Sequence, residues 1–266
     1  MSTGDVPVRT RRDACPGALQ VHDAADGALA RVRVPGGRLS AARLATIADC
    51  AEELGSGVIE LTSRANLQVR GLRSPEVFAT RIAAAGLLPS PTHERVRNIL
   101  ASPLAGRALP GTPSPASPGS PAATVPLVSP ASPAEGDTAG TAPPALADTT
   151  PLVDALDRAL CADPRLADLP GRFLFALDDG SGDMAGLGAD ITWTPSGLLL
   201  AGVPCSGPAE GEPADRPAHS PRAVAELMTA AALAFLEERG ATSRGPGGPS
   251  GSGGPGGPGG PGGPGG

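Results

Sequence analysis

The chain has 266 residues, a net charge of −6, and 38 glycines and 32 prolines that crowd into two stretches. Such stretches are low-complexity sequence rather than packed interior. Aromatic residues make up only 2% of the chain and no basic run occurs, which argues against nucleic-acid binding. No apolar run reaches about 18 residues, so no membrane span is predicted, and four scattered cysteines make a reduced, cytoplasmic location the default expectation.

Positive charge is concentrated at the start of the chain. Residues 1–107 contain 14 arginines against 10 acidic residues, whereas the remainder contains 7 against 17. A basic block without a basic run suits a small anionic ligand better than a polynucleotide.

The N-terminal block predicts strands and helices in alternation. Charged and apolar residues alternate over 29–34, which predicts a strand with one charged face that ends at a Pro-Gly-Gly turn. A helical period runs from a cap at Ser40 to Gly55, and a second one runs from Ser74 to Gly86. With strands between the helices, this order predicts a sheet with two helices on one face.

Residues 59–70 carry a polar side chain at every second position, which places these side chains on one face of a strand. The segment exceeds the usual strand length, so two strands with a break near 63–66 are predicted. The polar set is Glu60, Thr62, Arg64, Asn66, Gln68 and Arg70. A sheet with one solvated face explains the pattern by itself. Arg31 and Arg33 on the neighbouring strand add the alternative of a carboxylate-binding patch, because guanidinium groups bind carboxylates through paired hydrogen bonds.

A second block, from about Thr92, is interrupted by a segment rich in Pro, Ser, Thr and Ala at 108–149, which is predicted to be a disordered insertion. Disorder is also predicted for the N-terminus at 1–12 and for the Gly/Pro-rich tail at 241–266. The other elements predicted are a helix at 150–160, strands at 173–177, 189–193 and 198–201, and a helix from Ser220 to Gly240. The aspartate-rich segment 178–183 lacks the spacing of a calcium loop, so a solvated turn is predicted there and no metal-binding residue is assigned.

Three motifs, in this order, resemble the nitrite and sulfite reductase family: R-x-R-x-P-G-G at 31–37, T-x-R-x-x-x-Q at 62–68, and R-N at 97–98. The phrases most similar to precorrin-3B synthases within that family are DACPG (13–17), ELTSR (60–64), NILASPLAG (98–106) and FLFALDDG (173–180). The resemblance implies an α+β fold, with a ferredoxin-like half-domain at 13–90 and a partial sirohaem-type α+β domain at 91–107 and 150–240.

The resemblance also implies an oxidoreductase of cobalamin biosynthesis. Its expected substrate is the anionic tetrapyrrole precorrin-3A, and a [4Fe–4S] cluster and an iron or sirohaem-type tetrapyrrole are the cofactors of the intact family. The family binds the cluster through C-x5-C and C-x3-C pairs, and none of the four cysteines here stands in such a pair. The chain is therefore expected to be truncated and inactive by itself.

The resemblance assigns binding residues but no catalytic residue. Arg33, Arg64 and Arg97 fall where the family places guanidinium groups against tetrapyrrole carboxylates or a bound anion, and Gln68 falls where it places a supporting amide. The predicted binding set is Arg31, Arg33, Thr62, Arg64, Asn66, Gln68, Arg97 and Asn98.

Two alternatives stay open. One is a non-catalytic half-domain that holds a tetrapyrrole, or that pairs through its sheet edges with a second half-domain or with another copy of itself. The other is a fragment of a sulfite or nitrite reductase. Glu60, where sulfite reductases carry arginine, and the lack of their K-x-K pair near 172–174 disfavour this last alternative.

Overall fold

The structure is a computed structural model, and it describes residues 15–106, 147–205 and 220–243. The disorder predicted for 1–12 lies outside these residues, as does most of the disorder predicted for 108–149 and 241–266. In the described part of the chain, no helix is both long and apolar enough to cross a bilayer.

The first of two sheets is antiparallel and has the strand order β1-β2-β4-β3. Its strands are β1 (His22–Ala24), β2 (Gly27–Val32), β3 (Ile59–Leu61) and β4 (Leu67–Leu72). Two helices, α1 (Ala41–Leu54) and α2 (Pro75–Ala84), pack on one face of this sheet. The predicted α+β arrangement is confirmed, and β1 is an edge strand that the sequence analysis missed.

Period-two alternation gives this sheet one apolar face and one polar face. Side chains from the strands and both helices are buried together in the first core, among them Ala30, Val32, Ile47, Val69, Phe78 and Ile82. On the opposite face, Arg31 of β2 and Glu60 of β3 both lie directly across from Gln68 of β4. The alternation fails at Leu61, which is 83% exposed because it ends an edge strand.

The second sheet has the order β5-β6-β7-β8-β9, with parallel pairing from β5 to β7 and antiparallel pairing from β7 to β9. Its strands are β5 (Ile99–Ala101), β6 (Phe175–Leu177), β7 (Ile191–Thr194), β8 (Gly197–Leu200) and β9 (Val203–Pro204). Helices α3 (Thr150–Ala162) and α4 (Pro221–Ser243) enclose a second core with it. The helix predicted to end at Gly240 continues to Ser243, because one glycine costs a helix only about 1 kcal/mol.

We call β1–β4 with α1 and α2 the first unit, and β5–β9 with α3 and α4 the second unit. A 3₁₀ turn at Pro35–Gly37 joins these units, because it follows β2 and packs against β5 and α3. Gly36 is buried in this turn with φ 68°, and a Cβ atom there would lie 3.0 Å from a methyl carbon of Val153 on α3. The turn can approach α3 this closely only because position 36 has no side chain.

Gly36→Ala is expected to lower the free energy of unfolding by about 2 kcal/mol, because left-handed backbone strain and overlap with Val153 add together. Urea unfolding of the full chain measures this loss. Gly182→Ala is the matched control: Gly182 has φ 81°, and nothing lies within 4 Å of an added Cβ. Equal losses in the two variants would show that contact with α3 does not matter at Gly36.

Candidate anion-binding site

Strand register and a tight turn bring three arginines together on the polar face of the first sheet. Arg31 lies on β2, and Arg33 follows β2 by one residue. Arg64 lies on the turn between β3 and β4, where the backbone N of Thr62 donates to the carbonyl of Asn66 at 2.9 Å. We call Arg31, Arg33 and Arg64 the arginine cluster.

Arg33 is the most deeply buried member of the arginine cluster, at 2% exposure. Its Nε and Nη2 both donate to the backbone carbonyl of Arg95, at 3.2 and 3.0 Å. Burial lowers the pKa of Arg33 to about 10, and the positive charge of Arg31 is the second cause, with Arg64 contributing in the same direction. Like charges are therefore held together where water screens them poorly.

Each member of the arginine cluster keeps one buried nitrogen without a hydrogen-bond partner among the described residues. These atoms are Nε of Arg31, Nη1 of Arg33 and Nε of Arg64. A buried donor without an acceptor costs free energy, and a buried cation costs more unless an anion accompanies it. A ligand that carries several carboxylates would supply these acceptors, and it would add negative charge to that of the buried Glu94 carboxylate near Arg33.

Gln68 links the arginine cluster to an ion pair at the sheet edge. Its Oε1 accepts a hydrogen bond from Nη2 of Arg31 at 2.9 Å, and its Nε2 donates to Oε2 of Glu60 at 2.6 Å. Arg70 completes the chain, because its Nε donates to Oε1 of Glu60 at 2.9 Å. Gln68 thus connects Arg31 to the Glu60–Arg70 ion pair.

Three members of the predicted binding set hold the scaffold around the cluster. The hydroxyl of Thr62 accepts from the backbone N of Asn66 at 3.1 Å, which closes the turn that carries Arg64. Asn66 and Asn98 are buried, and Nδ2 of Asn66 donates to Oδ1 of Asn98 at 3.0 Å. Asn98 in turn donates to the carbonyls of Gly171 and Phe173. These amides join the first sheet to the second unit.

Unlike the arginine cluster, Arg97 has no buried nitrogen that lacks a hydrogen-bond partner among the described residues. Its Nε and Nη2 donate to the two carboxylate oxygens of Asp157 on α3, at 2.6 and 2.8 Å. Arg33 and Arg97 line one cavity of about 220 Å³, but the side of the Arg97 guanidinium that would clasp a ligand carboxylate is occupied by Asp157. The sequence analysis grouped Arg97 with Arg33 and Arg64; in the structure its main partner is a helix residue of the second unit.

Comparison with known proteins relates the segment that carries this site to a known family. The family model described as the nitrite/sulfite reductase ferredoxin-like half domain matches residues 22–79, which span β1 to α2. We call residues 22–79 the half domain, after the family whose model they match. All three arginines of the arginine cluster lie inside the half domain, whereas Arg97 and Asn98 lie beyond the matched residues.

Curated relatives resemble part of the chain. A precorrin-3B synthase of Sinorhizobium sp is 42% identical over 67 residues, which are 25% of this chain and 15% of the relative. A ferredoxin–nitrite reductase of Leptolyngbya laminosa is 38% identical over 81 residues, and one of Synechococcus elongatus is 40% identical over 83; each match covers 29% of this chain and 16% of the relative. The matches thus span under a fifth of these relatives.

One solved structure, described as that of Mycobacterium tuberculosis NirA protein, aligns with 62% of this chain and 24% of its own, with 22% identity and a TM-score of 0.41.

Sequence reasoning missed two structural features outside the half domain. The Glu94 carboxylate is buried and accepts hydrogen bonds from the backbone N atoms of Leu19 and Gln20, which fixes the segment before β1 close to Arg33. The motifs offered no signal for Glu94, because it is an isolated acidic residue. The predicted solvated turn at 178–183 is also wrong in part: Asp178 and Asp179 are buried, and their carboxylates accept hydrogen bonds from backbone N–H groups of the same loop.

The described residues do not fit an iron–sulfur cluster. They include all four cysteines, and none of these forms a disulfide bond. Among the described residues, the one group of three side chains with metal-ligand geometry consists of aspartates in the 178–183 loop. Thiolates are the usual ligands of such clusters, and no three of the described cysteines lie close enough together to supply them.

Proposed function

We propose that the half domain binds a carboxylated tetrapyrrole through the arginine cluster, as part of a precorrin-3B synthase-like oxidoreductase of cobalamin biosynthesis. The observation that carries this proposal is the set of three buried guanidinium nitrogens, one from each of Arg31, Arg33 and Arg64, that lack a partner among the described residues. Carboxylates pair with guanidinium groups through short, charge-assisted hydrogen bonds. Precorrin-3A, the proposed substrate, is rich in acetate and propionate groups.

Two further observations support this ligand class. The cluster presents donors from a strand, a strand end and a turn, so a ligand with several separate acid groups satisfies it better than a single small anion does. Part of this chain is also 42% identical to a precorrin-3B synthase, over 67 residues. The role proposed for this chain is to hold the ring by its acid groups. In the intact family the iron–sulfur cluster supplies the redox chemistry.

A second candidate is a nitrite reductase-type function, which the 38% and 40% identity to ferredoxin–nitrite reductases favours. The sirohaem-type tetrapyrrole expected for that family is also anionic, so the arginine cluster would hold it by the same chemistry. The two candidates differ in the tetrapyrrole that binds, and competition between a metal-free precorrin and sirohaem for the purified chain distinguishes them.

Arg64→Ala is expected to weaken tetrapyrrole binding about tenfold or more, because a hydrogen bond between charged groups contributes roughly 1.5–3 kcal/mol. The probe is uroporphyrin, whose pyrrole rings all carry acetate and propionate groups, and the change in its Soret absorbance during titration of the full chain gives the Kd. Arg64 is only half-buried, so its loss is not expected to unfold the half domain.

Arg222→Ala is the matched control for Arg64→Ala. It removes the same charge from the exposed face of α4, where Arg222 pairs with Glu226. We expect this variant to bind uroporphyrin as the unsubstituted chain does. Absence of saturable binding by the unsubstituted chain, or equal losses in the two variants, would contradict the proposed function.

A further inference from the structure

Three side chains form one row across the polar face of the first sheet. Glu60 of β3 and Arg31 of β2 each lie directly opposite Gln68 of β4. Hydrogen bonds run along the whole row, at 2.6 Å from Gln68 to Glu60 and at 2.9 Å from Arg31 to Gln68. Gln68 is buried, whereas the Glu60 side chain is 41% exposed, so the row leads from the rim of the sheet to the arginine cluster.

The chemistry of its two neighbours fixes the orientation of the Gln68 amide. A carboxylate accepts hydrogen bonds and a guanidinium group only donates them. The amide between Glu60 and Arg31 therefore satisfies both neighbours in one orientation only, with its NH₂ group toward Glu60 and its carbonyl toward Arg31. Without the carboxylate, the amide could turn its NH₂ group toward the guanidinium group of Arg31, where no acceptor would remain for it.

The orientation of Gln68 matters because Arg31 lies close to the positive charge of Arg33. Arg31 and Arg64 both act against the charge on Arg33. A guanidinium group that is repelled in this way tends to move toward water unless an acceptor retains it. The Gln68 carbonyl is that acceptor, and Arg31 keeps its buried Nε without a partner among the described residues.

We infer that Glu60 is a positioning residue for the ligand site: it orients Gln68, and Gln68 holds Arg31 in the arginine cluster with Nε available to a ligand carboxylate. The inference rests on the proposed function and deepens it, because it makes selection for carboxylated ligands depend on an acidic residue. Arg70 supports this role, since its hydrogen bond to Oε1 fixes the Glu60 carboxylate from the other side.

Glu60→Gln is expected to weaken uroporphyrin binding roughly five- to tenfold. The new amide has one carbonyl oxygen, which Arg70 takes, so its NH₂ group faces Gln68, and Gln68 loses its orientation and its hold on Arg31. In an Arg31→Ala background the same change is expected to have no further effect, because the arginine that Glu60 positions is gone. Glu53→Gln is the matched control: it makes the same change in an exposed carboxylate on α1 that pairs with Arg81 at 2.6 Å. We expect its affinity to equal that of the unsubstituted chain.

A second measurement tests the inference without ligand. In ¹⁵N-resolved NMR spectra, the Nε proton of Arg31 is expected to exchange with water more slowly than that of exposed Arg222, and Glu60→Gln is expected to abolish the difference. Slow exchange that persists in Glu60→Gln would overturn the inference, and so would an equal loss of affinity in the Arg31→Ala background. Failure of the unsubstituted chain to bind uroporphyrin would contradict the proposed function instead, and the exchange measurement would still decide the role of Glu60.

Discussion

Asp157→Ala is expected to lower the free energy of unfolding by about 3–5 kcal/mol, because it leaves a buried guanidinium group without its counter-charge. The Arg97 side chain is 5% exposed, and both oxygens of Asp157 accept hydrogen bonds from it. The pair connects the segment before β5 to α3, so its loss should loosen the packing of α3 on this segment. Urea unfolding followed by far-UV circular dichroism measures the change.

Two further variants show whether charge burial is the cause of that loss. Glu226→Ala removes a carboxylate from an exposed pair with Arg222 and is expected to cost less than about 0.5 kcal/mol. Replacing both members of the buried pair, with Arg97→Met and Asp157→Leu together, is expected to restore much of the stability because no charge is then left buried. If Asp157→Ala proves no more costly than Glu226→Ala, the pair does not stabilise the fold.

The Arg97–Asp157 pair also separates two roles for Arg97. If Arg97 is a structural residue, replacing Asp157 leaves the affinity for uroporphyrin unchanged in a variant that is still folded during the titration. If Arg97 is a ligand anchor, the same replacement releases it from α3, and the chain binds uroporphyrin more tightly. We expect the first result, because Asp157 and the carbonyl of Leu87 already accept hydrogen bonds from this guanidinium group.

Asn98→Asp is expected to lower the free energy of unfolding by about 3 kcal/mol, because the variant places an acceptor where the structure needs a donor. Asn98 is 1% exposed, and its Nδ2 lies 2.9 Å from the carbonyl oxygen of Gly171 and 3.1 Å from that of Phe173. An aspartate of the same shape would direct a carboxylate oxygen at these two carbonyl oxygens. Urea unfolding is again the measurement.

The control for Asn98→Asp is Gln20→Glu, the corresponding change of an amide to a carboxylate at an exposed position. It is expected to change stability by less than about 0.5 kcal/mol. A similar small change for Asn98→Asp would mean that the hydrogen bonds from the buried amide to Gly171 and Phe173 do not stabilise the fold.

Apart from β1, the sequence by itself determined the strands of the first sheet and its two helices. Alternation over 59–70 placed the polar side chains on one face, and the break near 63–66 is the turn that carries Arg64. The Ser40 cap and Gly55 correctly bracket α1. These features are local: a period of two or of 3.6 residues and a capping side chain act within a few residues of the chain.

Parts of the candidate site follow from the same local rules. Arg31 and Arg33 share a face because they are two residues apart in an extended segment. Period-two alternation likewise places Glu60 of β3 and Gln68 of β4 on the polar face of the sheet. The sequence analysis therefore identified the members of the arginine cluster. The direct alignment of Glu60, Gln68 and Arg31 in one row depends on the register between three strands, which alternation within each strand does not fix.

Only the tertiary structure decided which side chains Arg97 and Asn98 contact. The partner of Arg97 is Asp157, 60 residues later in the chain, and Asn98 donates to carbonyls more than 70 residues away. Likewise, Asp178 and Asp179 look like residues of a solvated turn until the loop folds back and their carboxylates accept its own N–H groups. A local pattern determines the face on which a side chain lies, whereas the group that meets it there depends on how distant elements pack.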